Sequence, residues 1–211
     1  MEVHTPHESV TSLRGLATHL SLVIVGVLIA LSFEGIATWR EHRALVRDAR
    51  ANLLNEVRDN RNDLAERLKQ IPQETDQLIR ALEVSIALQQ HKTIDGKMEL
   101  GYKSADLQTA SHTTAEVTGA FALMEYDEVK GYASLYNHQN FFEKTQDQAK
   151  QDLTRALSGA SFLARNDPAS ARQLEDWSTA IRQAMASLFV EGEVGASLLK
   201  QYDSVLQGRE H

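Results

Sequence analysis

The sequence contains no cysteine, and this absence excludes several kinds of chemistry. A chain without cysteine has no disulfide framework, no thiolate ligand for a metal and no cysteine nucleophile. A glycine-rich phosphate loop, a serine nucleophile elbow and a His-Glu-x-x-His zinc motif are also missing. We therefore expect no enzyme activity and no cofactor, and we assign no catalytic, cofactor-binding or metal-binding residue.

Basic residues are outnumbered by acidic ones, with 22 Lys and Arg against 29 Asp and Glu and a formal net charge of −7. A protein that binds nucleic acid needs a basic surface to neutralise phosphates. The charge balance therefore argues against nucleic acid as the main partner. β-type alternation of apolar and polar residues is missing as well, so the sequence predicts an all-α protein.

The segment from Gly15 to Phe33 carries no formal charge, and it is the longest apolar run of the chain. A helix of that length spans roughly 28 Å, which is close to the thickness of the hydrocarbon core of a bilayer. We therefore predict a tail at 1–14, a transmembrane helix with its interface at 15–39, and a soluble helical domain at 40–211. The alternative is a cleaved signal peptide, for which Ala30-Leu31-Ser32 offers a cut site.

Arginine residues follow the apolar segment and give it an orientation. Trp39 is expected at the membrane–water boundary, with Arg40, Arg43 and Arg47 beside it as interfacial anchors that contact anionic lipid headgroups. The positive-inside rule then places the domain in the cytoplasm of a bacterium, anchored in the inner membrane. The opposite orientation, with the domain in the periplasm, remains open.

Gly26 and Ala30 are four residues apart within the apolar segment. Such a pair of small residues lets two membrane helices approach closely, so it is a candidate packing face for a homo-oligomer or for a partner in a membrane complex. The alternative is that glycine and alanine are simply common in membrane helices.

Apolar residues at spacings of three and four predict a long helix over 36–71, which Pro72 ends or kinks. A second helix over 74–90 would return antiparallel to it and form a helical hairpin. The segment 91–106 is predicted to be a loop. We expect the transmembrane helix to continue into the long helix over 36–71, and a helical bundle of about four to five further helices to follow.

The second half of the chain predicts further helix boundaries. Thr113 and Glu116 have the spacing of a capping box, which predicts a short helix to about residue 124. The clearest periodicity predicts a helix over 127–165, and Asp167 and Pro168 would then start the next one. Gly192 and Gly195 predict a break before a last helix.

A few polar and aromatic residues on the apolar faces need an interpretation. His138 is expected to be a hydrogen-bonded core histidine, whereas Asn60 is expected to be partly exposed. The aromatic residues are expected to fill the core rather than a ligand pocket, and they are Tyr132, Tyr136, Phe141 and Phe142. The histidine–carboxylate pair His112–Glu116 and the pair His4–His7 are too incomplete for a metal site.

The anchor motif VIVGVLIAL, followed by Thr38-Trp39-Arg40-Glu41, resembles a group of uncharacterised bacterial single-pass membrane proteins. Their charged helix is similar to Leu53-Leu54-Asn55-Glu56-Val57 with Asn60, and their mid-chain element is similar to Thr118–Met124 with Val129 and Tyr136. His112 and Thr113 stand where that group often has tryptophan. The resemblance implies a membrane anchor and a helical domain, but no activity, and it favours the periplasmic orientation.

Three functions fit these features: a membrane-anchored interaction or scaffold protein, an accessory subunit of a larger membrane complex, and a ligand-sensing helical bundle. The first is our prediction from the sequence, because the long helix after the anchor suits contact with a protein partner.

Overall fold

The computed structural model describes residues 13–92, 100–165 and 169–208. In these ranges the chain forms helices and no strands, which confirms the all-α prediction. The helices are α1 (Leu13–Gln89), α2 (Ala110–Val117), a 3-10 helix (Ala120–Leu123), α3 (Tyr126–Gly159), α4 (Ser161–Arg165) and α5 (Ala171–Gln207). The chain divides into two compact units, Met1–Asp48 and Ala49–His211.

Helix α1 passes through Pro72 without ending, so the predicted hairpin is wrong. Proline removes one backbone donor and crowds the preceding turn, which costs about 3 kcal/mol in a helix interior. Contacts with other segments compensate for this cost, because Leu64 and Leu78 on either side are fully buried. Thr75 also donates its hydroxyl hydrogen to the carbonyl of Ile71, at 2.9 Å.

The segment before α2 is non-helical, as predicted for its described part, and α2 then begins earlier than the sequence indicated. The amide of Thr113 donates to the carbonyl of Thr109, the N-cap residue, so the proposed capping box at Thr113 is wrong. Gly119 then has a φ of 75°, which stops the helix before residue 124. Glycine adopts this left-handed conformation without the steric cost that a side chain would add.

Helix α5 is continuous across Gly192 and Gly195, so the predicted break is wrong. A Cβ on Gly195 would lie 2.7 Å from Leu68 Cδ2 and 3.0 Å from Phe142 Cε2. Glycine is therefore present because α5 approaches α1 and α3 closely there. At the other end of α5, Ser170 is the N-cap and forms a capping box with Gln173, while the predicted start at Asp167 and Pro168 lies outside the described residues.

The core of the second unit is formed by the part of α1 after residue 48, by α3 and by α5. One apolar cluster of this core surrounds Trp177, whose ring meets Phe162 edge-on at 5.4 Å and whose Nε1 donates to the carbonyl of Ala156 at 2.9 Å. The ring lies so close to α3 that a Cβ on Gly159 would be 2.7 Å from Trp177 Cδ1. The apolar cluster comprises Leu78, Ala81, Ala149, Leu153, Ala156, Ala160, Phe162, Leu174, Trp177, Ile181, Ala184 and Leu188.

Candidate functional site

The apolar part of α1 exposes nearly all of its side chains. Its most apolar 18-residue window has a mean hydropathy of 2.3 and is 0 % buried, and by length and composition the helix could cross a membrane. Gly26 and Ala30 are both exposed, and a Cβ added to Gly26 would meet nothing within 4 Å. The proposed packing face is therefore open to a second helix.

The four proposed interfacial residues lie on the same helix, and all are exposed. The guanidinium carbon of Arg43 is 5.2 Å from the centre of the Trp39 ring, which is within the range of a cation–π contact. Arg47 bonds to the neighbouring Asp48 at 3.0 Å. Arg40 is exposed beside Trp39, so the geometry leaves its charge available to an anionic group.

A second feature is an extended segment, residues 100–109, which we call the strap. Gln146 of α3 binds both backbone groups of Ala105, accepting from its N–H at 2.8 Å and donating to its carbonyl at 3.1 Å. Asn60 of α1 likewise accepts from the backbone N–H of Gln108 and donates to its carbonyl, with both bonds at 2.7 Å. The two amide side chains thus replace the backbone partners that the strap would have in a sheet.

Buried amides continue inward from the strap. Asn60 is 1 % exposed and also donates to Gln139, so the expectation of a partly exposed Asn60 is wrong. Gln139 in turn accepts from the Tyr202 hydroxyl of α5 at 2.7 Å. His138, by contrast, is exposed and bonds to the carbonyl of Ser134, so the expectation of a core histidine is wrong. The neighbouring Gln139 is buried instead.

An ionic cluster lies deeper in the same unit, and we call it the Arg67 cluster: Arg67, Glu74, Tyr102 and Glu191. Arg67 is 2 % exposed and forms two parallel bonds with Glu191, at 2.7 and 3.0 Å. Its Nη1 donates to Glu74 at 2.9 Å, and the Tyr102 ring from the strap covers it at 4.3 Å.

The cluster contains two carboxylates and one guanidinium. Burial raises the pKa of both Glu74 and Glu191, and the positive charge of Arg67 opposes that rise only in part. Burial would lower the pKa of Arg67, but its bonds to Glu191 hold it above the ordinary value, so the guanidinium remains charged. Burial also raises the pKa of Tyr102, which keeps its hydroxyl neutral.

A third polar group lies where α1 meets α2. Glu56 accepts from the Tyr136 hydroxyl at 2.5 Å and from the backbone amides of Ser111 and His112. The His112 ring packs against Tyr136 at 4.3 Å, and burial lowers the pKa of this histidine, so the neutral imidazole is favoured. Of the aromatic residues expected in the core, Tyr132, Tyr136 and Phe142 are buried, but Phe141 is 55 % exposed.

A cleft between α3 and α5 has a volume of about 180 Å³. Two residues that line it, Ser187 and Gln148, donate to Asp152 at 2.6 and 2.8 Å, and Arg155 is also bonded to Asp152. Burial alone would raise the pKa of Asp152, but these bonds and the charge of Arg155 hold it below the ordinary value. No cluster of metal-ligating side chains is present in the ranges that the structure describes.

Sequence reasoning missed most of this polar interior. Charged residues on a helix are usually expected on its solvated face, but Glu56, Arg67 and Glu74 are all buried. The available signal was their spacing, because Glu56 and Asn60 are four residues apart and Arg67 and Glu74 are seven apart, on or beside the apolar stripe. Comparisons with models of protein families, with curated proteins and with solved structures found no match.

Proposed function

We propose that the protein is a single-pass, membrane-anchored interaction protein without catalytic activity. The anchor is the segment 15–39, and the helices of the second unit form the bundle that contacts a partner. The observation that carries the proposal is the apolar window of α1, which is 0 % buried.

The energetic argument starts from the large apolar side chains of this segment, which are each about half exposed or more. Removing one such side chain from water is worth about 1.5–3 kcal/mol. Transfer of all of them from water into an apolar phase would therefore be favourable by on the order of tens of kcal/mol. A bilayer is a partner of the right chemistry and thickness for such a helix.

The arginines beside the anchor support a contact with anionic lipid headgroups. Trp39 and Arg43 already pair, so an aromatic ring and a cation lie at the same point of the helix where a headgroup region would be. In this proposal the membrane is the inner membrane of a bacterium, with the domain in the cytoplasm and the periplasm as the alternative.

An interaction role is supported by the way the second unit uses its polar interior. Asn60, Gln139 and Gln146 bond to the chain itself, so these groups do not require a ligand. Outside the core, Val117 and Phe189 are 81 % and 67 % exposed and offer apolar positions to a protein partner. The cleft between α3 and α5, with about 180 Å³, is smaller than the roughly 300–1,000 Å³ of typical ligand pockets, so that cleft does not itself support the sensing alternative.

Membrane fractionation of cells that express the full chain tests the anchor. We expect the protein to stay in the membrane after alkaline washing, and we expect the double variant V25R/L28R to be released. Each arginine at the centre of a membrane helix costs about 2.5–3.5 kcal/mol. The matched control is V117R/F189R, which places the same charges on exposed residues of the second unit. Release of the wild-type chain, or a mass showing cleavage after Ser32, would refute the anchor.

Cross-linking in native membranes tests the interaction role. We expect adducts with a second copy or with one membrane complex, and the latter would assign the protein as an accessory subunit. The variants G26L and A30L should weaken these adducts if the two residues form the packing face. Reporter fusions at the C-terminus decide the orientation, since activity of a periplasm-specific reporter would contradict the cytoplasmic proposal.

A further inference from the structure

The two carboxylates of the Arg67 cluster are bonded very differently. Both oxygens of Glu191 accept from Arg67, in the bidentate geometry that suits an ionised carboxylate, and the Tyr102 hydroxyl lies 3.3 Å from each of them. Glu191 is 0 % exposed, so this pairing is the whole of its stabilisation by charge. Glu191 is therefore the ionised partner of Arg67.

Glu74 is bonded through one oxygen. Its Oε1 accepts from Arg67 Nη1 at 2.9 Å and from the backbone amide of Lys103 at 3.1 Å. Its Oε2 is buried and accepts no hydrogen bond from the described residues, although Arg67 Nη1 lies 2.9 Å away. One guanidinium nitrogen thus faces both oxygens of Glu74, whereas two separate nitrogens donate to Glu191, so Glu74 is the less stabilised of the two carboxylates when ionised.

The charge balance of the cluster points the same way. With both glutamates ionised, two negative charges face one positive charge, and the buried cluster has a net charge of −1. A buried uncompensated charge is strongly unfavourable, and two neighbouring carboxylates disfavour each other's ionisation. One proton on Glu74 makes the cluster neutral and leaves the Arg67–Glu191 pair intact.

The groups that face Glu74 come from each surrounding element. Arg67 is on the same helix as Glu74, on the other side of Pro72. Glu191 belongs to α5, and Tyr102 and the Lys103 amide belong to the strap. Helix α3 meets the cluster through the backbone carbonyl of Gln146, which accepts from Tyr102 at 3.0 Å and carries no charge. Burial raises the pKa of Glu191 as well, but two bonds from Arg67 favour its ionised form, and the pKa values of Arg67 and Tyr102 lie above their ordinary ones. Glu74 is therefore the group of the cluster that we expect to titrate.

We infer that Glu74 is a proton-binding site of the domain, and that loss of its proton loosens the strap. Opening the strap removes Tyr102 and the Lys103 amide and admits water to Glu74, which then ionises at low cost. The raised pKa of Glu74 in the closed state agrees with this geometry. Because the closed state binds the proton more tightly, the closed state is favoured at low pH and loses that advantage as pH rises through the closed-state pKa.

Hydrogen exchange of the full chain in detergent tests the inference, with protection of the strap measured from about pH 5 to about pH 9 and corrected for the intrinsic exchange rate. We expect strap protection to fall at least about tenfold as pH rises, which corresponds to a difference of one pKa unit between closed and open states. Peptides around Ala156 and Trp177 should keep their protection, which separates opening of the strap from global unfolding.

The variant E74Q keeps the size of the side chain and one acceptor oxygen, but it has no carboxyl group that could ionise. We expect its strap to stay protected at all these pH values, whereas E66Q, an exposed glutamate on the same helix, should behave like the wild type. An E74Q strap with the pH dependence of the wild type would overturn the inference.

Infrared spectroscopy keeps the inference testable if E74Q does not fold. The wild-type chain should show a protonated carboxyl band that persists above the ordinary glutamate pKa of about 4.3. In a folded E74Q chain this band should be absent. A wild-type spectrum in which no carboxyl stays protonated above that pH would overturn the inference without any variant.

Discussion

Replacing Arg67 with methionine removes the charge from the cluster but keeps most of the length of the side chain. The guanidinium is bonded to Glu191 and Glu74 with side-chain exposures of 1 % for Arg67, 0 % for Glu191 and 7 % for Glu74. Breaking a buried ion pair by removing one partner costs about 3–5 kcal/mol, because the remaining charge stays buried without compensation. We therefore expect R67M to lose about that much of the free energy of unfolding.

The loss should depend on pH in a defined direction. Burial raises the folded-state pKa of Glu74 and Glu191, and without Arg67 both values rise further. At low pH both groups are protonated in the folded state, so the penalty of R67M is small. As pH rises, the two glutamates ionise freely in the unfolded chain, whereas in the folded variant they must either stay protonated or ionise while buried. Both cost free energy in the folded state, so the destabilisation grows toward its full value.

Urea unfolding of the full chain in a mild detergent, followed by circular dichroism, measures this effect. The matched control is R58M, because Arg58 is exposed on the same helix and bonds to the exposed Asn55. We expect R58M to stay within about 0.5 kcal/mol of the wild type. The double variant R67M/E191M should recover much of the loss, since apolar replacement of a buried pair is often close to neutral. A loss below about 1 kcal/mol for R67M, or one that ignores pH, would refute the reasoning.

Three further predictions use the same unfolding measurement. G195A should lose about 1–3 kcal/mol of the free energy of unfolding, because its Cβ overpacks against Leu68. G192A, whose Cβ would lie 3.6 Å from Ile71, should be neutral or gain up to about 1 kcal/mol. Equal effects of the two substitutions would contradict the close approach of α5 at Gly195. N60A should lose about 1–3 kcal/mol and speed hydrogen exchange at the Gln108 amide, and unchanged exchange there would show that the strap does not depend on Asn60. P72A should gain up to about 3 kcal/mol, and a loss would mean that the proline serves the fold.

The apolar faces of the helices could be predicted because they follow from a local period. Leu53, Val57 and Leu64 recur at helical spacing and are all fully buried, and the same holds for Phe142 and Ala149 of α3. A helix turns by a fixed amount per residue, so a stripe of apolar residues identifies the buried side before any neighbour is known. This is why the all-α class and most of the core were accessible from the sequence.

The polar interior could not be predicted in the same way, because its partners are distant along the chain. Arg67 and Glu191 are 124 positions apart, and Asn60 meets Gln108 across 48 positions. A charged residue on a helix is usually solvated, and its burial is tolerated only where an oppositely charged partner from elsewhere in the chain offsets the loss of hydration. The strap adds to the difficulty, since its backbone is satisfied by side chains and leaves no periodic pattern in the sequence.

The two helix breakers that failed to break their helices have different physical explanations. Gly195 is required, because α5 passes so close to Leu68 and Phe142 that a Cβ would collide with them. Its weak helix propensity, about 1 kcal/mol below alanine, is the consequence of that contact. Pro72 has no such contact to justify it; the helix survives it because Arg67 and Glu74 bond to each other across it and both are held by other segments. The opposite signs expected for G195A and P72A follow from this difference, since one substitution adds an atom where none fits and the other restores a backbone donor.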